Sequence, residues 1–283
     1  MAMQPITLTS GMRANLVSLQ STNNMMEVTQ KRLSSGKKVN SALDDPVAYF
    51  TAVSHELRAG DLAARKDEMS ESIQLLKAGD AGIESIRSLI AAAKSLATSA
   101  LSGETSVAVD TLRAQYTEVL AQIDTIADDS NYKGVNLLDG TAIVHEVKFD
   151  ETGVSKLTIT GFDASSEGTT LSLMTFASAA WWDGTNTLAD KLEIASAITR
   201  LDSATLALRT ESSKLANNLS IITARQDYTQ SMMNVLKDGA ASLTNADMNE
   251  EGANMLMLQT RQALGTTSLS LASQAAQSVL RLF

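Results

Sequence analysis

Residues Leu33–Pro46, LSSGKKVNSALDDP, join two long helical patterns. Before them, Met12, Leu16, Leu19, Met26 and Leu33 recur at alternating four- and three-residue steps, with Asn23 and Gln30 at the remaining steps. That heptad stripe predicts a helix from Leu8 to Leu33. Gly36 supplies its stop, with Lys37 and Lys38 beside the negative end of the helix dipole. On the far side, Asp45 is a good N-cap and Pro46 a good first helical residue. The only prolines are Pro5 and Pro46, so no proline ring interrupts helix beyond this point.

Working outward, a long helix is predicted from Val47 towards Leu101; Gly60, Gly79 and Gly82 weaken it locally without forcing a break. Ser102-Gly103 is a turn. A further helix from Thr105 to Ala127 carries the stripe Val109, Leu112, Tyr116, Val119, Leu120, Ile123 and Ile126. The period then changes. Asn131-Tyr132-Lys133-Gly134 and Asp139-Gly140 are turn signals. Val144–Phe149 and Lys156–Thr160 alternate as strands around Asp150-Glu151-Thr152-Gly153, a hairpin pattern. Thr170–Phe176 is read as a third strand, and Trp181-Trp182-Asp183-Gly184 as a loop or apolar anchor. Helix resumes at Thr187 and keeps an apolar face through Leu192, Ile194, Ile198, Leu201, Leu206, Leu208, Leu215, Leu219 and Ile222 to Leu236. Asn245-Ala246-Asp247 punctuates the chain. A last helix from Asn249 has the seam Met255, Leu258, Leu269, Ala272, Ala276, Val279 and Phe283, with Gln262 and Gly265 at the steps between Leu258 and Leu269. The expected fold is mainly α: a long antiparallel helical bundle with terminal coiled-coil helices and a small β-hairpin in the middle.

The chain has 283 residues, a formal charge of −9 and only 4% aromatic residues. Its apolar content is mostly Ala, Leu, Ile, Val and Met, residues suited to helix seams. The acidic balance argues against nucleic acid and anionic membranes, which need clustered Lys and Arg. With no cysteine, disulfides and thiolate chemistry are excluded. The start, MAMQPITLTS, lacks the basic and apolar regions of a secretory signal, and no run of about 18 apolar residues offers a membrane span. His55 and His145 are the only histidines and have no ladder of acidic residues at ligand spacing. Asp44-Asp45 reads as helix capping rather than a catalytic pair, and Asp128-Asp129 as a turn or cap. The glycines form no phosphate cradle. No enzyme activity, metal or cofactor is expected. From Leu264 to Phe283 the sole charge is Arg281. A helix so composed depends on packing for its stability. The two weakly amphipathic ends therefore need each other, or copies of the chain.

Three blocks resemble bacterial flagellins: Leu33–Pro46; Asp124–Gly140, DTIADDSNYKGVNLLDG; and Ala275–Phe283, AAQSVLRLF. The likeness covers roughly residues 4–140 and 190–283. It implies a subunit of the flagellar filament, the helical propeller of swimming bacteria, whose terminal helices form an inner tube. By that likeness, residues 1–40 and 245–283 are filament-core helices, 41–140 and 190–244 the two halves of a helical shell domain, and 141–189 a small outer element. Met12, Leu16, Leu19, Met26, Leu33, Met255, Leu258, Leu269, Ala272, Ala276, Val279 and Phe283 are the expected subunit-packing residues, and Asn40, Asp44, Asp45 and Pro46 the cap and loop motif. The implied partners are copies of itself, the export apparatus, an export chaperone, the filament cap and hook-junction proteins. The implied location is extracellular, reached without a cleaved signal peptide. One departure is Asp-Asp-Pro-Val-Ala-Tyr-Phe where many flagellins have Ala-Ala-Gly after the acidic pair. A similar Asp-Asp-Pro occurs in the flagellin-like hook–filament junction protein, which is the alternative reading. A signalling coiled coil would require a transmembrane span and a basic flank. Ala92, Lys94, Ser95 and Leu96 correspond by resemblance to the surface read by the animal flagellin receptor, which uses Arg and Glu beside Leu. Ser165-Ser166 and Thr169-Thr170 are candidate sites for O-linked sugars, with unmodified polar surface the simpler expectation.

Overall fold

The computed structural model describes residues 10–102, 106–173 and 188–280. Among them, five helices and two small antiparallel sheets follow in the order α1 (Ser10–Ser35), α2 (Pro46–Leu101), α3 (Ser106–Asp129), β1 (Asn131–Tyr132), β2 (Val135–Asn136), β3 (Val144–Lys148), β4 (Lys156–Thr160), α4 (Leu188–Thr244) and α5 (Met248–Leu280). The chain is mainly α with a small β-hairpin in the middle. It divides into two compact units, Met1–Ala59 with Asn234–Phe283, and Gly60–Met233. The divisions fall inside α2 and α4, whereas the segmentation read from sequence sits at the helix ends.

In the unit Gly60–Met233, two helices carry strict heptads. On α2, Met69, Leu76, Ile83, Ile90 and Ala97 lie at seven-residue steps, with Ser72, Ile86, Ala93 and Ala100 in the intervening row, and all are buried. On α4, Ile194, Leu201, Leu208, Leu215 and Ile222 repeat the pattern and Thr229 extends it. A 3.5-residue period keeps one stripe facing its partner along two long helices. The two run antiparallel: Lys66 Nζ donates to Gln230 Oε1 at 2.7 Å, Gln226 Nε2 to Ser70 Oγ at 2.6 Å, and Ser212 Oγ to Asp80 Oδ1 at 2.7 Å. Leu192 and Leu206, read as part of the α4 apolar face, are instead exposed, because the heptad runs through 194, 201 and 208. Helix α3 adds Val109, Tyr116, Leu120 and Ile123 to the same core. Burial pushes the Tyr116 phenol up to about 12.

The end of α3 closes tightly on α2. A Cβ at Gly82 would sit 2.9 Å from Ser130 Cβ. Asn136 then ties off α3: its Nδ2 donates to the carbonyls of Ala127 (2.7 Å) and Asp128 (3.1 Å), and its Oδ1 accepts from Leu138 N at 3.0 Å. β1 and β2 are joined at Lys133-Gly134, whose φ values of 50° and 82° fit a tight primed hairpin turn. β3 and β4 pair from Val144↔Thr160 to Lys148↔Lys156, burying Val147 and Ile159. The third strand read at Thr170–Phe176 is not present over its described part, 170–173. Leu171 and Leu173 are both buried, the alternation that suggested a strand, but a turn produces it: Ser172 N donates to Gly168 O at 2.8 Å and Leu173 N to Ser166 O at 2.7 Å. Residues 174–176, 181–184 and Phe283 lie outside the described residues.

In the other unit, α1 and α5 form an antiparallel pair. The turns beyond α1 and before α5 are stitched by main-chain bonds. Lys38 N and Val39 N both donate to Thr244 O, at 2.7 and 3.2 Å, and Ala246 N donates to Gly36 O at 3.0 Å. Gly36 ends α1 with φ 70°, the left-handed stop anticipated there.

Candidate functional site

The face of α1 towards α5 has a polar interior. Met12, Thr22 and Thr29 are buried, and Asn15, Leu19, Met26 and Leu33 are half-buried. The stripe is therefore 12, 15, 19, 22, 26, 29, 33. The sequence reading placed Leu16, Asn23 and Gln30 at the alternate steps, one residue too late. All three are exposed, Leu16 at 37%. Both choices alternate correctly with Met12, Leu19, Met26 and Leu33, and hydrophobicity favours Leu16 over Asn15. What decides is the partner helix, which presents polar and small side chains there. Asn15 Nδ2 donates to Ser268 Oγ at 3.3 Å. A Cβ on Gly265 would lie 2.9 Å from Leu19 Cδ2, so the glycine lets that leucine sit close to the α5 backbone. Thr22 turns its hydroxyl back to Ser18 O at 2.9 Å.

On α5, Glu251 and Leu258 are buried, and Met255, Gln262, Gly265, Leu269, Ala272 and Ala276 are half-buried. Val279 lies in the last turn of α5. Gln262 Nε2 donates to Asn23 Oδ1 at 2.9 Å, so Asn23 touches α5 from the rim of the seam. At the closed end, Arg32 Nη1 pairs with Glu251 Oε1 at 2.9 Å, the carboxylate side chain being almost fully covered. Sequence reading missed this pair. Its members stand 219 positions apart and neither has a local motif.

The apolar side chains that the pair does not use face outward. Val17, Met25 and Val28 on α1 are exposed, as are Leu256, Met257, Leu264 and Leu271 on α5, the last two at 66% and 62%. Fully covering one such side chain stabilises by roughly 1.5–3 kcal/mol. A groove of about 500 Å³ runs between the helices, lined by Met25, Val28, Met257 and Leu258 with Arg32 and Arg261 at its walls. This surface is suited to packing against further helices.

The loop motif is built of caps. Asp45 Oδ1 accepts from Ala48 N at 3.0 Å and Pro46 opens α2, as the sequence indicates. Asp44 closes the preceding loop, its Oδ2 accepting from Asn40 N (2.9 Å) and Ser41 N (3.0 Å). Those two N–H groups hold its carboxyl below the usual range. Asn40 Nδ2 donates to Lys37 O at 3.1 Å. Asp247 caps α5 through Asn249 N at 2.8 Å.

On α2, Ala92 and Ser95 are exposed, Leu96 packs against the core, and Lys94 is paired with Asp202. Ser166, a candidate sugar acceptor, is buried and bonded through N (2.6 Å) and Oγ (3.0 Å) to Asp124, so it is not available for modification. Ser165 is spent on Asp163. His145 Nε2 lies 2.9 Å from Ser72 Oγ. That hydroxyl donates to Glu68 O, so Nε2–H donates to Ser72 and Nδ1 is the nitrogen left to titrate. His55 stands apart, beside Gly239. Among the described residues no group of three or more His, Asp or Glu could hold a metal, and no helix is long and apolar enough to cross a membrane.

Residues 8–143 match the family described as the bacterial flagellin N-terminal helical region. Flagellin FljM of Caulobacter vibrioides is 30% identical over 287 residues, spanning 100% of this chain and 100% of its own. The chain belongs to the flagellin family. A flagellin of Listeria monocytogenes is likewise 30% identical, over 92% of this flagellin and 91% of its own length. The crystal structure of Bacillus cereus flagellin superposes on 58% of this flagellin and 88% of that chain, with a TM-score of 0.48 at 22% identity. Flagellins are structural proteins, so this flagellin is read as a building block.

Proposed function

We propose that this flagellin polymerises with copies of itself into the flagellar filament, the helical propeller of bacterial swimming, and that the α1/α5 pair is the segment that packs subunit on subunit. The single observation behind this is the outward apolar face of that pair. Val17, Met25, Leu264 and Leu271 stay exposed after α1 and α5 have paired, while Asn15, Thr22, Thr29, Gln262 and Gly265 interrupt the apolar residues of the seam between them. An exposed apolar stripe on two long helices is an association surface. Head-to-tail contacts between two different patches generate an open helical polymer when the rotation does not close.

In this reading residues 1–40 and 245–283 line the inner tube, 41–140 with 190–244 form the surrounding shell, and 141–189 the small outer element. Met12, Leu19, Met26, Leu33, Met255, Leu258, Leu269, Ala272 and Ala276 then serve pairing and subunit packing together, Leu16 serves neighbours alone, and Val279 and Phe283 keep the packing role the family likeness implies. The chain leaves the cell through the flagellar export apparatus, escorted by a chaperone and delivered under the filament cap. The Asp-Asp-Pro that suggested a junction protein needs no such role, because Asp45 and Pro46 are accounted for as a helix cap. At the receptor-equivalent positions, Ala92 and Lys94 offer neither a guanidinium fork nor a free carboxylate. Reporter cells carrying the animal flagellin receptor are expected to respond weakly or not at all; strong signalling at low protein concentration overturns that.

Electron microscopy of purified protein after seeding tests the central claim. Long uniform tubes are expected. Protein that stays monomeric over a wide concentration range overturns it.

A further inference from the structure

Methionines sit in very different environments. Met12, Met69 and Met233 are buried, whereas Met25, Met248 and Met257 are 41%, 48% and 50% exposed. Met25 of α1 and Met257 of α5 line one and the same groove, beside Val28 and Leu258, with Arg32 and Arg261 on its walls. Met248, in the first turn of α5, is equally open but is not among the groove's lining residues. Exposure makes all three accessible to oxidants, and position makes two of them part of the face that neighbouring copies cover.

We propose that Met25 and Met257 form a paired oxidation site at which conversion to sulfoxide by a peroxide blocks addition of the subunit to the polymer. This rests on the reading that the α1/α5 face packs against other copies. Each event transfers one oxygen atom. The sulfur lone pair attacks the peroxide, the O–O bond breaks and an S–O bond forms. Sulfur gives up two electrons, and the second oxygen leaves as water with both protons. A flexible apolar thioether becomes a polar sulfoxide. Covering a polar sulfoxide against an apolar neighbour is expected to weaken association on the order of tenfold per group. Once a subunit has been added, its neighbours shield both sulfurs. The site is open only between arrival and incorporation.

The test treats purified monomer with hydrogen peroxide, maps the sulfoxides by peptide mass spectrometry, and measures seeded polymerisation. Early oxidation is expected at positions 25, 248 and 257, with a critical concentration raised by about tenfold or more. Methionine sulfoxide reductases restore assembly in step with reduction at 25 and 257, not at 248. Measured against its own untreated polymerisation, the volume-conserving pair Met25→Leu and Met257→Leu loses nothing on peroxide treatment, whereas Met248→Leu loses as much as the unsubstituted protein does. If the double variant assembles poorly before treatment, the reductase recovery, followed position by position, decides. Oxidised protein polymerising at its untreated critical concentration, or recovery that follows position 248, overturns the proposal. Untreated protein that never polymerises sinks the polymer reading itself; treated and untreated protein assembling alike sinks only the oxidation site.

Discussion

The terminal pair and the α2–α4 body use the same seven-residue period with opposite content. In the body the stripe is Ile83, Ile86, Ile90 and Ala93 facing Leu201, Leu208 and Leu215, all sealed from water. In the terminal pair it is Met12, Asn15, Leu19, Thr22, Met26 and Thr29, so polar residues alternate with apolar ones, and Val17, Met25, Val28, Leu264 and Leu271 stand outside it. Periodicity thus fixes that two helices pair, while the residues in the stripe decide whether the pair suffices by itself. The body is finished within one chain. The terminal pair is left with an exposed apolar surface.

The sharpest way to break this contrast is Leu269→Pro. A proline in the interior of α5 removes a helical hydrogen bond and costs about 3 kcal/mol or more. Filaments should disappear, while the body's denaturant midpoint stays unchanged; intact filaments from this variant refute the assignment of assembly to α5. Next comes truncation in the two seams. Ile90→Ala, in the sealed stripe, should cost about 2–5 kcal/mol in urea unfolding. Leu19→Ala, resting half-exposed on Gly265, should cost the monomer less than about 1 kcal/mol. Equal costs would erase the distinction between the seams. Asn136→Ala strands two carbonyls and an amide at the end of α3 and should cost about 1–3 kcal/mol, read from the same unfolding curves.

The smallest effect is a pH dependence in the body. Burial holds the His145 imidazole below its ordinary value of 6.5. The unfolded chain therefore takes up the proton first. Stability is full above pH 6.5 and falls as the pH drops through the lower folded value. Unfolding curves at pH 7.5 and pH 5 should differ in that direction, and His145→Gln should flatten the difference. A slope that survives the substitution assigns it elsewhere.

The helices were legible because their signals are local: Gly36 as a stop, Asp45-Pro46 as a start, and the apolar recurrence of α3 from Val109 to Ile126. The β3–β4 hairpin was legible from alternation around Asp150–Gly153. What was not legible depends on partners far along the chain. Leu16 outranks Asn15 on hydrophobicity alone, and only Ser268 and Gly265 across the seam reverse the choice. Leu171 and Leu173 imitate a strand because a turn also hides every second side chain. Arg32 and Glu251 carry no motif at all, and the outward face of α5 is visible only once its inward face is known.

The stitch between Gly36–Val39 and Thr244–Ala246 is made of main-chain atoms, so it is nearly indifferent to side-chain identity but strict about length. Adding one residue between that joint and the seam turns a helix by about 100°, carrying Leu258 and Leu269 off the face they share with α1. Insertions and deletions near one end of the gene must therefore be matched near the other, although Lys38 and the Ser242 carbonyl it touches are 204 positions apart. Point substitutions there should drift freely, Gly36 excepted, while the spacing stays locked across lineages.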